Sequence, residues 1–127
     1  MASLTYVDTH VAVWLYAGRR DLMSASALEA LSDGAVLISP AVLLELQFLH
    51  EIGRITVPGE DVATALNAQF DIRLCPLPFP VIARAALAQS WTRDPFDRLI
   101  VGHALAGERK LLTKDNVIHE HFPGARW

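Results

Sequence analysis

The sequence predicts an α/β domain, a mostly parallel sheet with helices over both faces. Three observations carry that expectation. Short apolar runs alternate with helical patterns at the spacing of βα units. Two helices are announced by a capping residue and then proline, Ser39-Pro40 and Asp94-Pro95; proline suits the first helical position because the N–H it lacks would have no partner there. Of the 127 residues 52% are hydrophobic and 20% charged, enough apolar side chains for a real core.

The elements follow in order. Residues 5–7 are a short apolar strand ending at Asp8, and residues 11–16 are a helix stopped by Gly18. Ser24 caps a second helix through Leu31, closed by Asp33-Gly34. Residues 35–38 are continuous and apolar, a buried strand. Ser39-Pro40 opens a helix to Ile52, ended by Gly53; Pro58 and Gly59 introduce another at 61–69. Residues 72–75 are a short strand before Pro76, Pro78 and Pro80, and 81–90 are helical. Asp94-Pro95 starts a helix through Ala106. Residues 110–113 are the next strand, Asp115-Asn116 is a turn, and 125–127 add an edge strand. No repeat, linker or tail interrupts the run, so 1–127 reads as one domain.

Composition excludes several classes. The single cysteine, Cys75, rules out an internal disulfide framework and a cysteine-based zinc finger. The start of the chain lacks the basic and apolar regions of a signal peptide, and no apolar run is long enough to span a membrane. A soluble, cytoplasmic protein is expected. Net charge is −3, which rules out a simple electropositive sleeve for nucleic acid.

Four acids stand out by position. Asp8 ends the first strand; taken alone it reads equally well as the N-cap of the next helix, shared with Thr9. Glu45 has Ala41, Val42, Phe48 and Leu49 one turn away on either side, so it shares the face expected against the sheet. An ionised carboxylate there is costly unless paired or bound to a cation; the competing reading is a glutamate at the rim, reaching water or an arginine. Asp94 and Asp97 lie in Asp94-Pro95-Phe96-Asp97-Arg98-Leu99-Ile100. Capping explains Asp94, whereas Asp97 shares its face with Ile100 and Val101, and capping-region acid and ligand both stay open. Asp115 is either a turn residue with Asn116 or a carboxylate at a strand's carboxyl edge.

A parallel sheet brings such positions to one edge, beyond the carboxyl ends of its strands. Two like charges 4 Å apart repel by about 4 kcal/mol at an effective dielectric of 20. The acids therefore either hold protons or gather a divalent cation, and hard Mg²⁺ or Mn²⁺ prefers oxygen ligands. Metal-assisted phosphodiester hydrolysis needs such a site. With those acids neutralised, the rest of the chain turns slightly basic, and nine of its eleven basic residues are arginine. Arg19, Arg20, Arg98, Arg109, Lys110 and Lys114 are candidates for the approach to the cleft, against an ordinary solvated surface. Arg19, Arg98 and Lys114 are carried forward as RNA contacts.

At this point the chain resembles the PIN-domain family, and within it the VapC-type toxin ribonucleases of type II toxin–antitoxin modules. The matching segments are Tyr6-Val7-Asp8-Thr9-His10, Ser39-Pro40 through Glu45, Asp94-Pro95-Phe96-Asp97-Arg98-Leu99-Ile100, and Leu112-Thr113-Lys114-Asp115. The closing Phe122-Pro123-Gly124 to Trp127 is similar too. The Asp-Pro-Phe-Asp-Arg-Leu stretch is the most specific part. The resemblance implies a three-layer α/β/α sandwich and a metal site of Asp8, Glu45, Asp97 and Asp115. Asp8 and Asp97 would be its main direct ligands. It implies a supporting hydroxyl at Thr113 for metal-activated water, with Thr9 and Asp94 acting from behind. Lys114, beside Asp115, is an alternative phosphate contact. The resemblance also implies Mg²⁺ or Mn²⁺, RNA as substrate, a homodimer, and a small VapB-type antitoxin in the cleft, with helix 42–52 as a candidate contact surface.

Two other functions fit the residues. One is a phosphatase or phosphotransferase with Asp8 as nucleophile, although the second aspartate expected two residues on is His10. The other is a noncatalytic RNA- or protein-binding module with the same fold. His119 and His121, with the scattered His10, His50 and His103, read as surface histidines rather than zinc ligands. Trp14, Trp91 and Trp127 read as core or interface packing rather than base-stacking platforms.

Overall fold

Among the described residues five strands form one all-parallel sheet. The computed structural model describes residues 3–127, so Met1 and Ala2 of the expected domain lie outside it. The strands β1 (Ser3–Val7), β2 (Gly34–Ile38), β3 (Arg73–Leu74), β4 (Lys110–Leu112) and β5 (Ala125–Arg126) lie in the order β3-β2-β1-β4-β5. Helices α1 (Thr9–Tyr16), α2 (Ala25–Ser32), α3 (Pro40–Glu51), α4 (Gly59–Phe70), α5 (Phe79–Leu87), α6 (Pro95–Ala106) and α7 (Asn116–His121) connect them, with a 3₁₀ turn at Arg20–Leu22. Successive strand residues point to opposite faces. Thr5, Tyr6 and Val7 are nonetheless all buried, as are Leu111, Leu112 and Thr113. Both faces are therefore covered, and the fold is a three-layer α/β/α sandwich.

Local chemistry sets the helix starts. Asp8, Ser24, Ser39, Asp94 and Asp115 each accept a backbone N–H from the first turn of the helix that follows. Pro40 and Pro95 occupy the first position of α3 and α6. Gly18 and Gly53, at φ 72° and 81°, turn the chain just past α1 and α3, in a conformation that costs glycine least. The core gathers on β1, β2 and β4, against Val11 and Leu15 of α1, Val42 and Leu46 of α3, Leu66 of α4, and Ile100 and Val101 of α6.

Several expectations need correction. Asp115-Asn116 is not a simple turn, because Asp115 accepts from Val117 N at 2.9 Å and Ile118 N at 3.3 Å and so caps α7. Helix α5 begins at Phe79 with Pro80 in its first turn, where proline is tolerated, and ends at Leu87 rather than Ser90. His103 is not a surface residue; it is buried, with Nδ1 2.7 Å from Ser39 Oγ and 3.1 Å from the Leu99 carbonyl.

Helix α4 also starts earlier than expected, at Gly59, and docks on α3 there. Gly59 N–H donates to Gln47 Oε1 at 3.0 Å. A Cβ at this position would lie 2.8 Å from Leu43 O and 2.9 Å from Gln47 N, both backbone atoms that have little room to move. Gly59→Ala is expected to destabilise the protein by about 1–3 kcal/mol by forcing α3 and α4 apart. Urea unfolding reads this as a lowered midpoint; an unchanged midpoint would mean that α4 shifts freely along α3.

Candidate metal centre

The carboxyl edge of the sheet opens into a cleft of about 460 Å³ lined by Asp8, Glu45, Asp94, Asp97 and Asp115. Each acid arrives on a separate structural argument. Register pairs Val7 of β1 with Leu112 of β4, so Asp8 and Thr113 leave the sheet side by side. Asp8 N–H continues the ladder to Leu112 O at 3.0 Å. Glu45 is carried in by α3, and Asp94 and Asp97 by the first turn of α6. Three of the acids, Asp8, Asp94 and Asp115, are helix N-caps as well as cleft-lining groups, so the capping explanation and the cleft position hold together.

Asp8 is the anchored member. It is buried, accepting from Thr9 N at 2.8 Å on Oδ1 and from the Thr113 hydroxyl at 2.7 Å on Oδ2. Thr113 Oγ1 in turn accepts the Asp115 N–H at 3.1 Å, which ties Asp8 and Asp115 through one hydroxyl. The Thr9 hydroxyl donates to Glu45 Oε1. Glu45 stands at the rim rather than in the core: it is half-buried, and Phe48, expected beside it against the sheet, is 45% exposed. The packed stripe of α3 is Ala41, Val42 and Leu46.

Burial, followed by the charges of Asp94, Asp8, Asp115 and Glu45, pushes the Asp97 carboxyl up to about 7. Burial likewise raises Glu45, with the Thr9 hydroxyl pulling the other way. His10 also lines the cleft. Burial lowers its proton affinity despite Asp8 and Asp115, so the ring favours the neutral form. Its Nε2 accepts the Lys114 N–H at 3.0 Å, which leaves the ring proton on Nδ1, 3.6 Å from Asp8 Oδ2.

The donor set is all oxygen and carries uncompensated negative charge, which matches a hard divalent cation. Among the described residues no three His, Cys, Asp or Glu side chains already converge tightly enough to hold an ion. The cleft is thus a framed site rather than a closed cage, and Asp97 and Glu45 are the members not committed to capping.

The family model of the PIN domain matches residues 5–121. The chain belongs to the PIN domain family. Two solved structures similar to this PIN domain are toxin–antitoxin assemblies. VapBC2 from Rickettsia felis, bound to a DNA fragment from its promoter, matches at a TM-score of 0.68 and 18% identity, covering 98% of each chain. A toxin–antitoxin complex from Klebsiella pneumoniae matches at a TM-score of 0.68 and 20% identity, over 97% of this chain and 96% of that one. At those identities the likeness is one of fold. No curated protein matches.

The basic residues expected at the cleft are placed otherwise. Arg19 forks onto Asp21, at 3.0 and 2.9 Å, and Arg98 Nε donates to the Thr92 carbonyl at 2.8 Å; neither lines the cleft of this PIN domain. Lys114 is exposed and touches the site through its backbone. His119 and His121 have separate partners: His119 Nε2 is 2.6 Å from Thr113 O, and His121 stacks on Trp91. Two polar cleft residues, His10 and Arg54, were not anticipated, and Trp14, expected in core or interface packing, lines the cleft with Val13, Leu49 and Ile55. Position two after Asp8 was a signal for His10, whereas nothing local marks Arg54.

Proposed function

We propose that this PIN domain is a divalent-cation-dependent endoribonuclease, the toxin of a VapBC-type toxin–antitoxin pair. The observation that supports it most is the convergence of five carboxylates, Asp8, Glu45, Asp94, Asp97 and Asp115, on one cleft at the carboxyl edge of the sheet, where burial and the neighbouring acids raise the Asp97 carboxyl. Asp8, Asp97, Glu45 and Asp115 would hold Mg²⁺ or Mn²⁺. When bound, the cation supplies charge to polarise the phosphate and acidify water. The chain's own groups do the rest. Thr9 N–H and the Thr113 hydroxyl fix both oxygens of Asp8. Glu45, at the rim with Oε1 accepting the Thr9 hydroxyl, is positioned to take the proton of the attacking water, and Asp115 is the alternative acceptor. Helix N-termini at α1, α6 and α7 face the anionic site with their N–H groups already capped.

The antitoxin reading draws on both solved relatives, which are toxin–antitoxin complexes. Leu44 and Phe48 of α3 and Ile52 just past its end, 50%, 45% and 68% exposed, form an apolar surface for that partner or for a second copy in a homodimer. A cytoplasmic location follows from the RNA substrate proposed; separately, among the described residues no helix is long and apolar enough to cross a membrane.

The test is cleavage of a total RNA pool by the purified protein with Mg²⁺, with Mn²⁺ and with chelator. Cuts that need the cation are expected; cleavage undiminished by chelator would overturn the proposal. Thr113→Val checks the arrangement behind the acids. It frees Asp8 Oδ2 and the Asp115 N–H together, and should lower kcat by about 10–100-fold, as losses one step behind a metal ligand do. Unchanged kcat would show that Asp8 needs no such support.

A further inference from the structure

We propose that Arg54 grips a phosphate of the bound RNA flanking the one cut at the acids, an inference that rests on the nuclease reading above. Among the cleft-lining residues Arg54 is the sole arginine or lysine. Five carboxylates line the same space, yet Arg54 makes no ion pair with any of them within 4.0 Å. It is exposed and lies more than 4.0 Å from every carboxylate oxygen of the cleft, an arrangement that an extended polyanion bridges, with one charge at the acids and another at the guanidinium. Other arginines are already engaged: Arg19 with Asp21, Arg73 with Asp71, and Arg93, Arg98 and Arg126 with backbone carbonyls.

The loop presenting Arg54 is built. Gly53 turns at φ 81°. The Arg54 and Ile55 N–H groups both return to Leu49 O, at 2.8 and 3.3 Å, and His50 Nδ1 lies 3.2 Å from Ile55 O. Val13, Trp14, Leu49 and Ile55 add an apolar wall to the cleft, suited to a sugar or base rather than to charge. Phosphate at the acids through the cation, apolar nucleoside surface on the wall and a second phosphate on the guanidinium fork account for all three lining chemistries.

The test compares wild type, Arg54→Ala and Arg54→Lys on a labelled RNA oligonucleotide of mixed sequence. Cleavage kinetics are measured with Mg²⁺, and binding by fluorescence anisotropy with Ca²⁺ across a salt series. Arg54→Ala should raise KM and Kd about three- to tenfold with kcat nearly unchanged, and flatten the slope of log Kd against log salt by about 0.7, one phosphate contact on a single strand. Arg54→Lys should keep the slope and recover part of the affinity, having the charge without the fork. Unchanged KM, Kd and slope in Arg54→Ala would overturn the contact and leave Arg54 for another anion, such as an acidic peptide. A kcat loss equal in both variants, with KM unmoved, would overturn it too. A wild type that binds RNA through Arg54 without cutting it would remove the nuclease reading and keep the contact; a wild type that neither binds nor cuts would overturn both.

Discussion

Asp8→Asn should lower cation-dependent RNA cleavage by at least about a hundredfold, since changes one step behind a metal ligand already cost about 10–100-fold. The fold should survive. Asparagine caps helices as well as aspartate does, so its oxygen can still accept Thr9 N–H at the start of α1. Its amide would meet Thr113, whose hydroxyl can reorient to accept. What is lost is one negative charge at the best-anchored oxygen pair in the cleft. Titration with Mn²⁺ should show weaker binding alongside the lost cleavage, with an unaltered far-ultraviolet circular dichroism spectrum. Full activity in this variant would remove Asp8 from the metal site. Lost activity with lost helix signal would make it a structural cap alone.

Asp97→Asn should raise stability in the absence of divalent cations, in a pH-dependent way. The Asp97 carboxyl lies near 7 in the folded protein against an ordinary 3.8. The native state therefore holds this proton more tightly than the unfolded chain, and stability falls as pH rises through that window. Below about 4 both states are protonated and the variant gains nothing; above 7 it gains the full amount. The shift would convert to about 4 kcal/mol, but the side chain is only half-buried and solvent screens much of that. The lost charge in the first turn of α6 also gives back about 0.3–1 kcal/mol of helix-dipole energy. A net gain on the order of 1 kcal/mol remains, read as a higher Tm at pH 8 than wild type and an equal one at pH 4. Added Mg²⁺ should reverse the order by stabilising wild type selectively. A variant less stable at pH 8 without cation would make Asp97 a helix-start residue and nothing more.

The sequence was most legible where the cause is local. Ser39-Pro40 and Asp94-Pro95 place two helix starts because one side chain and one missing N–H determine them. The strand ends carrying Asp8 and Asp115 could be located, and a parallel sheet brings them to one edge. Helix α7 was lost because six residues are too few for a periodic pattern, although its Asp115 cap is of the same kind as the others. Glu45 shows the limit of a helical wheel. The wheel names neighbours correctly but not where the packed stripe stops, and Phe48 lies beyond it. Arg19 and Arg98 were expected as RNA contacts by charge alone; Arg19 pairs with Asp21, Arg98 Nε bonds the Thr92 carbonyl, and neither lines the cleft. Arg54 lay out of reach, because its position depends on where a loop after α3 meets α1 and the sheet edge.

The strand order has a consequence for how the protein is made. β1 is central and β4 lies beside it, so Asp8 waits during synthesis for a partner 105 positions later. At about 5–20 residues per second that wait is on the order of 5–20 s. A nascent chain that has emerged only as far as α5 can pair β1 with β2 and β3, but it lacks Asp94, Asp97, Thr113 and Asp115. The acid cluster is therefore a late product of folding: Asp8 and Glu45 wait, and the cleft is framed only once α6 and β4 have joined β1.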